Sequence, residues 1–285
     1  MKNKLPELSS LFFPALFTLR RGNSVHKDGI SMEKIFEGVW IETSNLASFI
    51  DYIGFETKTP LSYLYVLAQR AQVGIMLDKQ FPLAIPGMIH IENYLTKFGQ
   101  YQPDKPFLLK ASVHVEYKET GSLIPIFQVE IYQMENLVAS CKSIYLVKRK
   151  SKNQKRKKKE EPEKNEVFSH RETWMLTRYS GREYAKVSGD KNLIHTSLLF
   201  ARLFGFRSTI MHGWYSVCKI EQIIEKKFRM EISRIETKFQ TPVLLPGNPT
   251  LILQNTNENN VQYLLLNDKN SSIHLQGIIE GNKYE

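Results

Sequence analysis

The chain has 285 residues, of which 42% are hydrophobic and 24% charged, with a net charge of +10. That composition belongs to a globular protein long enough for one large domain or two of ~100–150 residues. No apolar run approaches the ~18 residues that a membrane-crossing helix needs. The two cysteines, Cys141 and Cys218, are far apart and have no metal-ligand pattern around them, so they read as buried thiols of a cytoplasmic protein.

In chain order, Met1 to Arg21 carries an apolar run interrupted by Pro14 and followed by Arg20 and Arg21. It lacks a small-residue cleavage site, so it reads as part of the first domain and not as a signal peptide. Ser62–Leu77 then repeats apolar residues at helical spacing (Leu64, Val66, Leu67, Val73, Met76, Leu77), which predicts a helix. Four strand-like runs follow, Gly87–Tyr94, Phe107–Tyr117, Leu123–Gln133 and Leu137–Val147, separated by turn residues.

Lys148 to Glu166 holds ten basic and four acidic residues and almost no aromatic or β-branched ones. This composition predicts a solvated linker that takes up much of the net charge. The basic balance therefore gives no argument for specific nucleic-acid binding.

Beyond the linker, an acid, an amide and an imidazole fall within six residues at Asp190, Asn192 and His195. Glycine at 189 permits a sharp backbone turn beside Asp190. A spacing of five between Asp190 and His195 places them on different faces of a regular helix, so a loop must bring them together. Held that way, carboxylate and imidazole suit general acid–base work on a water molecule. A short helix through Leu198, Leu199, Ala201 and Leu203 is expected to begin at a Thr196 or Ser197 cap and to stop at Gly205. A longer one, with Val217, Ile220, Ile223 and Ile224 on one face, is expected from Gly213 to Phe228. Its first N–H groups lack intrahelical acceptors and lie at the positive end of the dipole, a credible oxyanion site at Gly213. Strands are expected at Ile232–Thr241, Thr250–Asn255, Val261–Asn267 and Ser272–Ile279.

A long helix followed by an antiparallel meander thus occurs on both sides of the linker. The order predicts an α+β protein of double hot-dog form, two long helices each wrapped by an antiparallel sheet. The expected divisions are 1–147, linker 148–166, and 167–285. Plain structural uses exist for the singled-out residues too: Asp190 as a turn cap, His195 and His212 as hydrogen-bonded braces, Ser188 and Tyr184 in packing. Trp40, Trp174 and Trp214 read as core.

The pattern Tyr184-Ala185-x-x-Ser188-Gly189-Asp190-x-Asn192-x-Ile194-His195, with Gly205-Phe206 and Ile210-x-His212-Gly213 after it, resembles the MaoC-like (R)-specific enoyl-thioester hydratases and 3-hydroxyacyl-thioester dehydratases. The resemblance implies that Asp190 and His195 activate one water and that the Gly213 N–H binds the thioester carbonyl. Asn192, His212 and Ser188 are placed with them as orienting or substrate-contacting residues. It also implies a hydro-lyase of fatty-acid metabolism acting on an acyl-CoA or acyl-carrier-protein thioester. No cofactor or metal is expected, and the state is monomer or homodimer. Length and order are similar to the double hot-dog members, in which the first half has lost the chemistry and encloses the acyl chain. A hot-dog thioesterase and a non-catalytic acyl-thioester binder are the alternatives. Leu193 stands where the family has proline, which implies a less rigid loop.

Overall fold

The computed structural model of the chain describes residues 4–7, 15, 17–21, 30–118, 121–148 and 170–284. The expected charged linker lies outside the described residues except for Lys148. Backbone contacts divide the chain into two compact units, Met1–Thr43 with Tyr63–Lys157 and Ser44–Ser62 with Lys158–Glu285.

The first unit contains β1 (Ile30–Val39), most of α2 (Leu61–Met76), β2 (Met88–Lys97), β3 (Phe107–Tyr117), β4 (Leu123–Gln133) and β5 (Asn136–Val147). The sheet is antiparallel with order β1-β3-β4-β5-β2. Along α2, Leu64, Leu67, Ala68, Ala71 and Ile75 are buried at the spacing that makes one face of a helix. Each of the buried leucine and isoleucine side chains contributes roughly 1.5–3 kcal/mol. The sheet wraps this helix. Gly74 lies against the Phe36 ring of β1, the Gln72 amide donates to Ser143 Oγ of β5 at 2.8 Å, and Tyr65 reaches His90 of β2 at 3.4 Å. At the C-terminal end of α2, where carbonyls lack partners, the Arg21 guanidinium donates to the carbonyls of Met76 (2.6 Å) and Asp78 (2.8 Å).

The second unit contains α1 (Thr43–Ile53) from Ser44 onward, β6 (His170–Thr173), α3 (Ser180–Ser188), α4 (Leu193–Thr196), α5 (Leu198–Leu203), α6 (Gly213–Phe228), β7 (Met230–Phe239), β8 (Thr250–Asn257), β9 (Asn260–Leu266) and β10 (Ile273–Lys283). Its antiparallel order is β6-β8-β9-β10-β7. Val217, Cys218, Ile220 and Ile224 of α6 are fully buried.

Strand for strand, the two orders are the same: an early edge strand, then the second, third, fourth and first strands of the meander. This is the double hot-dog arrangement, α+β as expected, and the long helices fall within one residue of the expected bounds. The elements β1, α1, β6, α3 and α4 were not anticipated. The halves differ where it matters for chemistry. Residues 54–60 alone join α1 to α2, whereas residues 189–212, carrying α4 and α5, separate α3 from α6. The tryptophan expectation needs one correction: Trp174 and Trp214 are buried, but Trp40, just past the end of β1, is exposed.

Candidate active site

The amphipathic helix α3 ends at Gly189, whose φ of +75° is the left-handed cap conformation that glycine adopts without strain. The chain reverses there and presents Asp190. Ser188 is buried; its hydroxyl donates to the Tyr184 carbonyl at 2.9 Å and accepts from the Asp190 N–H at 3.3 Å. It braces the turn. Asp190 Oδ1 accepts from the Asn192 N–H at 3.2 Å. Asn192, itself exposed, has extended backbone (φ −54°, ψ 125°), and its side chain accepts from the Ile194 N–H, capping α4. Leu193 is the first residue of α4, the position that suits proline in helices generally. Here the Asn192 cap holds the entry geometry.

His195 stands on α4, half-buried. Ile210 clamps it from two sides: the Ile210 N–H donates to the Ile194 carbonyl at 3.2 Å, and the Ile210 carbonyl lies 2.9 Å from His195 Nδ1. A carbonyl only accepts, so Nδ1 carries the proton and Nε2 keeps its lone pair. Burial lowers the His195 pKa below the ordinary 6.5, against the attraction of Asp190 and the Ile210 bond. The imidazole is neutral and basic at physiological pH.

His212 is buried and stacks on His195 with ring centroids 3.7 Å apart. Its Nε2 donates to the backbone carbonyl of Asp190 at 2.9 Å. Burial, then the neighbouring His195, depress its pKa to about 3, so it too is neutral. His212 Nδ1 has no hydrogen-bond partner among the described residues. Tyr184 meets the His212 ring edge-on at 5.0 Å, and Tyr52 of α1 and Tyr215 of α6 pack around Tyr184. Tyr52 and Tyr215 escaped the sequence reading, because a single tyrosine in a helix does not say which wall it forms.

Gly213 follows His212 directly and opens α6, with its backbone exposed. A Cβ there would meet the Phe239 ring at 2.9 Å, so any side chain at 213 would press on that ring. A second missed residue is Gly181 on α3. A side chain there would strike the His195 carbonyl; this bare position lets α3 lie directly against the loop. Glu221 of α6 was missed as well: it is buried and accepts from the Leu61 and Ser62 N–H groups at 2.8 and 3.0 Å, which caps α2.

Of the expected site residues, Asp190, His195 and His212 come together, one polar atom from each lying within 4.8 Å of the others. Asn192 and Ser188 hold the loop in shape. Beside the Asp190 carboxylate, the cluster offers His195 Nε2, whose lone pair follows from the Nδ1 bond, and His212 Nδ1, which has no hydrogen-bond partner among the described residues. Those three donors are enough to contact a small cation or to hold a water.

Residues 157–270 match the model of the MaoC like domain family. Among curated proteins, the chain is similar to 3-hydroxyacyl-thioester dehydratase X of Mycobacterium tuberculosis, 28% identical over 218 residues that cover 74% of this chain and 76% of the relative. The crystal structure of that organism's HtdX superposes with a TM-score of 0.72 at 22% identity, covering 88% of this chain and all of the other. A MaoC-like dehydratase from Phytophthora capsici superposes with a TM-score of 0.73 at 16% identity, covering 92% and 99%. At these identities the superpositions speak for the fold.

Proposed function

We propose that the protein hydrates trans-2-enoyl thioesters to (R)-3-hydroxyacyl thioesters and catalyses the reverse dehydration. The observation that carries this reading is the convergence of Asp190 and the neutral His195 beside the exposed start of α6. In the forward direction, Asp190 and His195 Nε2 hold one water. His195 takes its proton as the oxygen bonds to C3, and negative charge moves to the thioester oxygen. The Gly213 N–H, at the positive end of α6, receives that charge. The enolate then collapses as C2 takes a proton back from the dyad on the same face. General acid–base help of this kind is worth typically 10²–10⁴-fold, and one oxyanion donor ~2.7–4 kcal/mol. The similarity to a 3-hydroxyacyl-thioester dehydratase supports the same chemistry, and the first unit, without an Asp–His loop, is assigned to enclosing the acyl chain.

The test is loss of the enoyl-thioester absorbance when the protein meets crotonyl-CoA, with a thiol reagent in parallel. Hydration without released thiol is expected, and Asp190→Asn and His195→Ala should each cost at least ~10²-fold in turnover with unchanged circular dichroism. Release of free thiol would show a thioesterase instead, and near-normal hydration by either variant would overturn the assignment.

A further inference from the structure

The short helix α5 turns its apolar residues outward. Ala201 is fully buried and anchors it, while Leu199 is 66% exposed and Leu203 71%, with Leu198 and Phe204 also open to solvent. Isolated exposed leucines are ordinary, but three leucines and a phenylalanine exposed within seven residues make an apolar surface of the kind that marks an interaction site. Its position is suggestive, since only Thr196 and Ser197 separate His195 from Leu198, and Gly205, at φ +85°, ends the helix directly after Phe204.

The charges in the sequence that flanks it are unbalanced. From Arg182 to Arg207 there are five cations and two acids, and one of those acids, Asp190, belongs to the candidate site. Arg182 is tied to the patch by its Nε donating to the Thr196 carbonyl at 2.7 Å. The side chains of Lys186, Lys191, Arg202 and Arg207 are exposed and have no acidic partner among the described residues. Elsewhere in the same unit cations do find acids, as Lys226 finds Glu56 at 3.1 Å. An apolar centre with a rim of unspent positive charge is complementary to an acidic protein surface that has a small apolar spot of its own.

We propose that this face docks an acidic acyl-carrier protein, which delivers its thioester to the Asp190–His195 loop. The proposal rests on the thioester reading above. A second copy of the chain would bring like charges together, and coenzyme A has phosphates for the cations but no surface to cover Leu199 and Leu203. A bilayer is less suited, because it cannot present a thioester on a mobile arm to a loop so near the patch.

The experiment compares wild type with Leu199→Ser/Leu203→Ser and Arg202→Glu/Arg207→Glu, all at exposed positions outside the catalytic loop. Each is assayed on the same enoyl group carried by coenzyme A and by a bacterial acyl-carrier protein. Binding of the unacylated holo-carrier protein and of phosphatidylserine-containing vesicles is measured alongside. Both variants should lose about tenfold or more in kcat/KM on the carrier substrate and in carrier affinity, the charge variant most at low salt. Turnover of the coenzyme A thioester should stay within about twofold of wild type in the leucine variant, which removes apolar surface that coenzyme A does not cover, and should fall less than carrier turnover in the charge variant. Unchanged carrier affinity in both variants, vesicle binding in place of carrier binding, or a self-association that the variants abolish would each overturn the proposal. Absence of hydration with either substrate in the wild type would sink the hydratase reading, and carrier binding would still decide the docking surface.

Discussion

Gly181→Ala tests whether the position of His195 is set by helix packing. The glycine lies in α3 without a left-handed φ, so alanine costs nothing in backbone conformation and in a helix would ordinarily gain about 0.5–1 kcal/mol. The new Cβ, however, would sit 3.3 Å from the His195 carbonyl carbon and 3.2 Å from Leu245 Cδ1, with the carbonyl oxygen closer still. Comfortable carbon–carbon contacts are about 3.5–4.0 Å, so α3 and the loop must part by on the order of 0.5–1 Å. Over-packing of this kind costs about 1–3 kcal/mol, which exceeds the helical gain. The loop, held by the Ile210 clamp and the single turn of α4, is the softer partner. A displacement approaching 1 Å at a reacting group costs on the order of 10²-fold. Hydration of crotonyl-CoA should therefore fall by about that factor, while thermal unfolding shifts by only a few degrees. Gly99→Ala, where an added Cβ meets nothing within 4 Å, is the control. Full activity in Gly181→Ala with the loop unmoved would refute the claim that α3 sets the site.

Gly213→Ala should lose roughly 10²–10³ in turnover, since its Cβ meets Phe239 at 2.9 Å and displaces the N–H; if adding Phe239→Leu restores the rate, the glycine serves Phe239 and not the thioester. The pH profile of kcat/KM should be level through neutrality and fall only below 6.5, because burial holds the His195 pKa beneath that value. A limb at 7 or above that vanishes in His195→Ala would contradict a neutral base. The same depression makes stability from His195 and His212 fully present above 6.5 and progressively lost as acid protonates the unfolded chain. Glu221 has the opposite sign. Burial pushes its pKa up to about 7, so its contribution is complete below about 4.5 and declines as pH rises toward 7. Glu221→Ala leaves the Leu61 and Ser62 N–H groups without their acceptor and should cost about 1–3 kcal/mol in denaturant unfolding; a smaller change would mean that water satisfies them.

Much of the fold was legible in the sequence because local rules and burial agree there. The meander strands alternate in burial as their residues alternate in polarity, as in Phe107, Leu109, Ala111, Val113 and Val115 of β3. Both central helices show the 3.6-residue period. The Gly189 turn and the stop of α5 before Gly205 followed from the place glycine takes at helix ends, whereas Ser197 stands at the N-cap of α5 without a side-chain cap hydrogen bond. The missed elements are those whose patterns are set from outside. β1 mixes exposed and half-buried residues as a sheet edge, and β6 is only four residues long. α1 belongs with the second unit although its neighbours in sequence belong with the first.

Residue types at fixed spacing are enough to nominate a site, since an acid, an imidazole and a glycine before a helix limit the chemistry whatever surrounds them. The sequence alone therefore determined the helix–meander repeat and the candidates Asp190, His195 and Gly213. Protonation and precision belong to tertiary structure. The Ile210 carbonyl selects the His195 tautomer from fifteen residues away, burial keeps both rings neutral, helped at His212 by the stacked His195, and Gly181 sets how closely α3 approaches the loop. Each of these depends on which distant backbone happens to lie within 3–4 Å, and that distance is decided by packing, not by spacing along the chain.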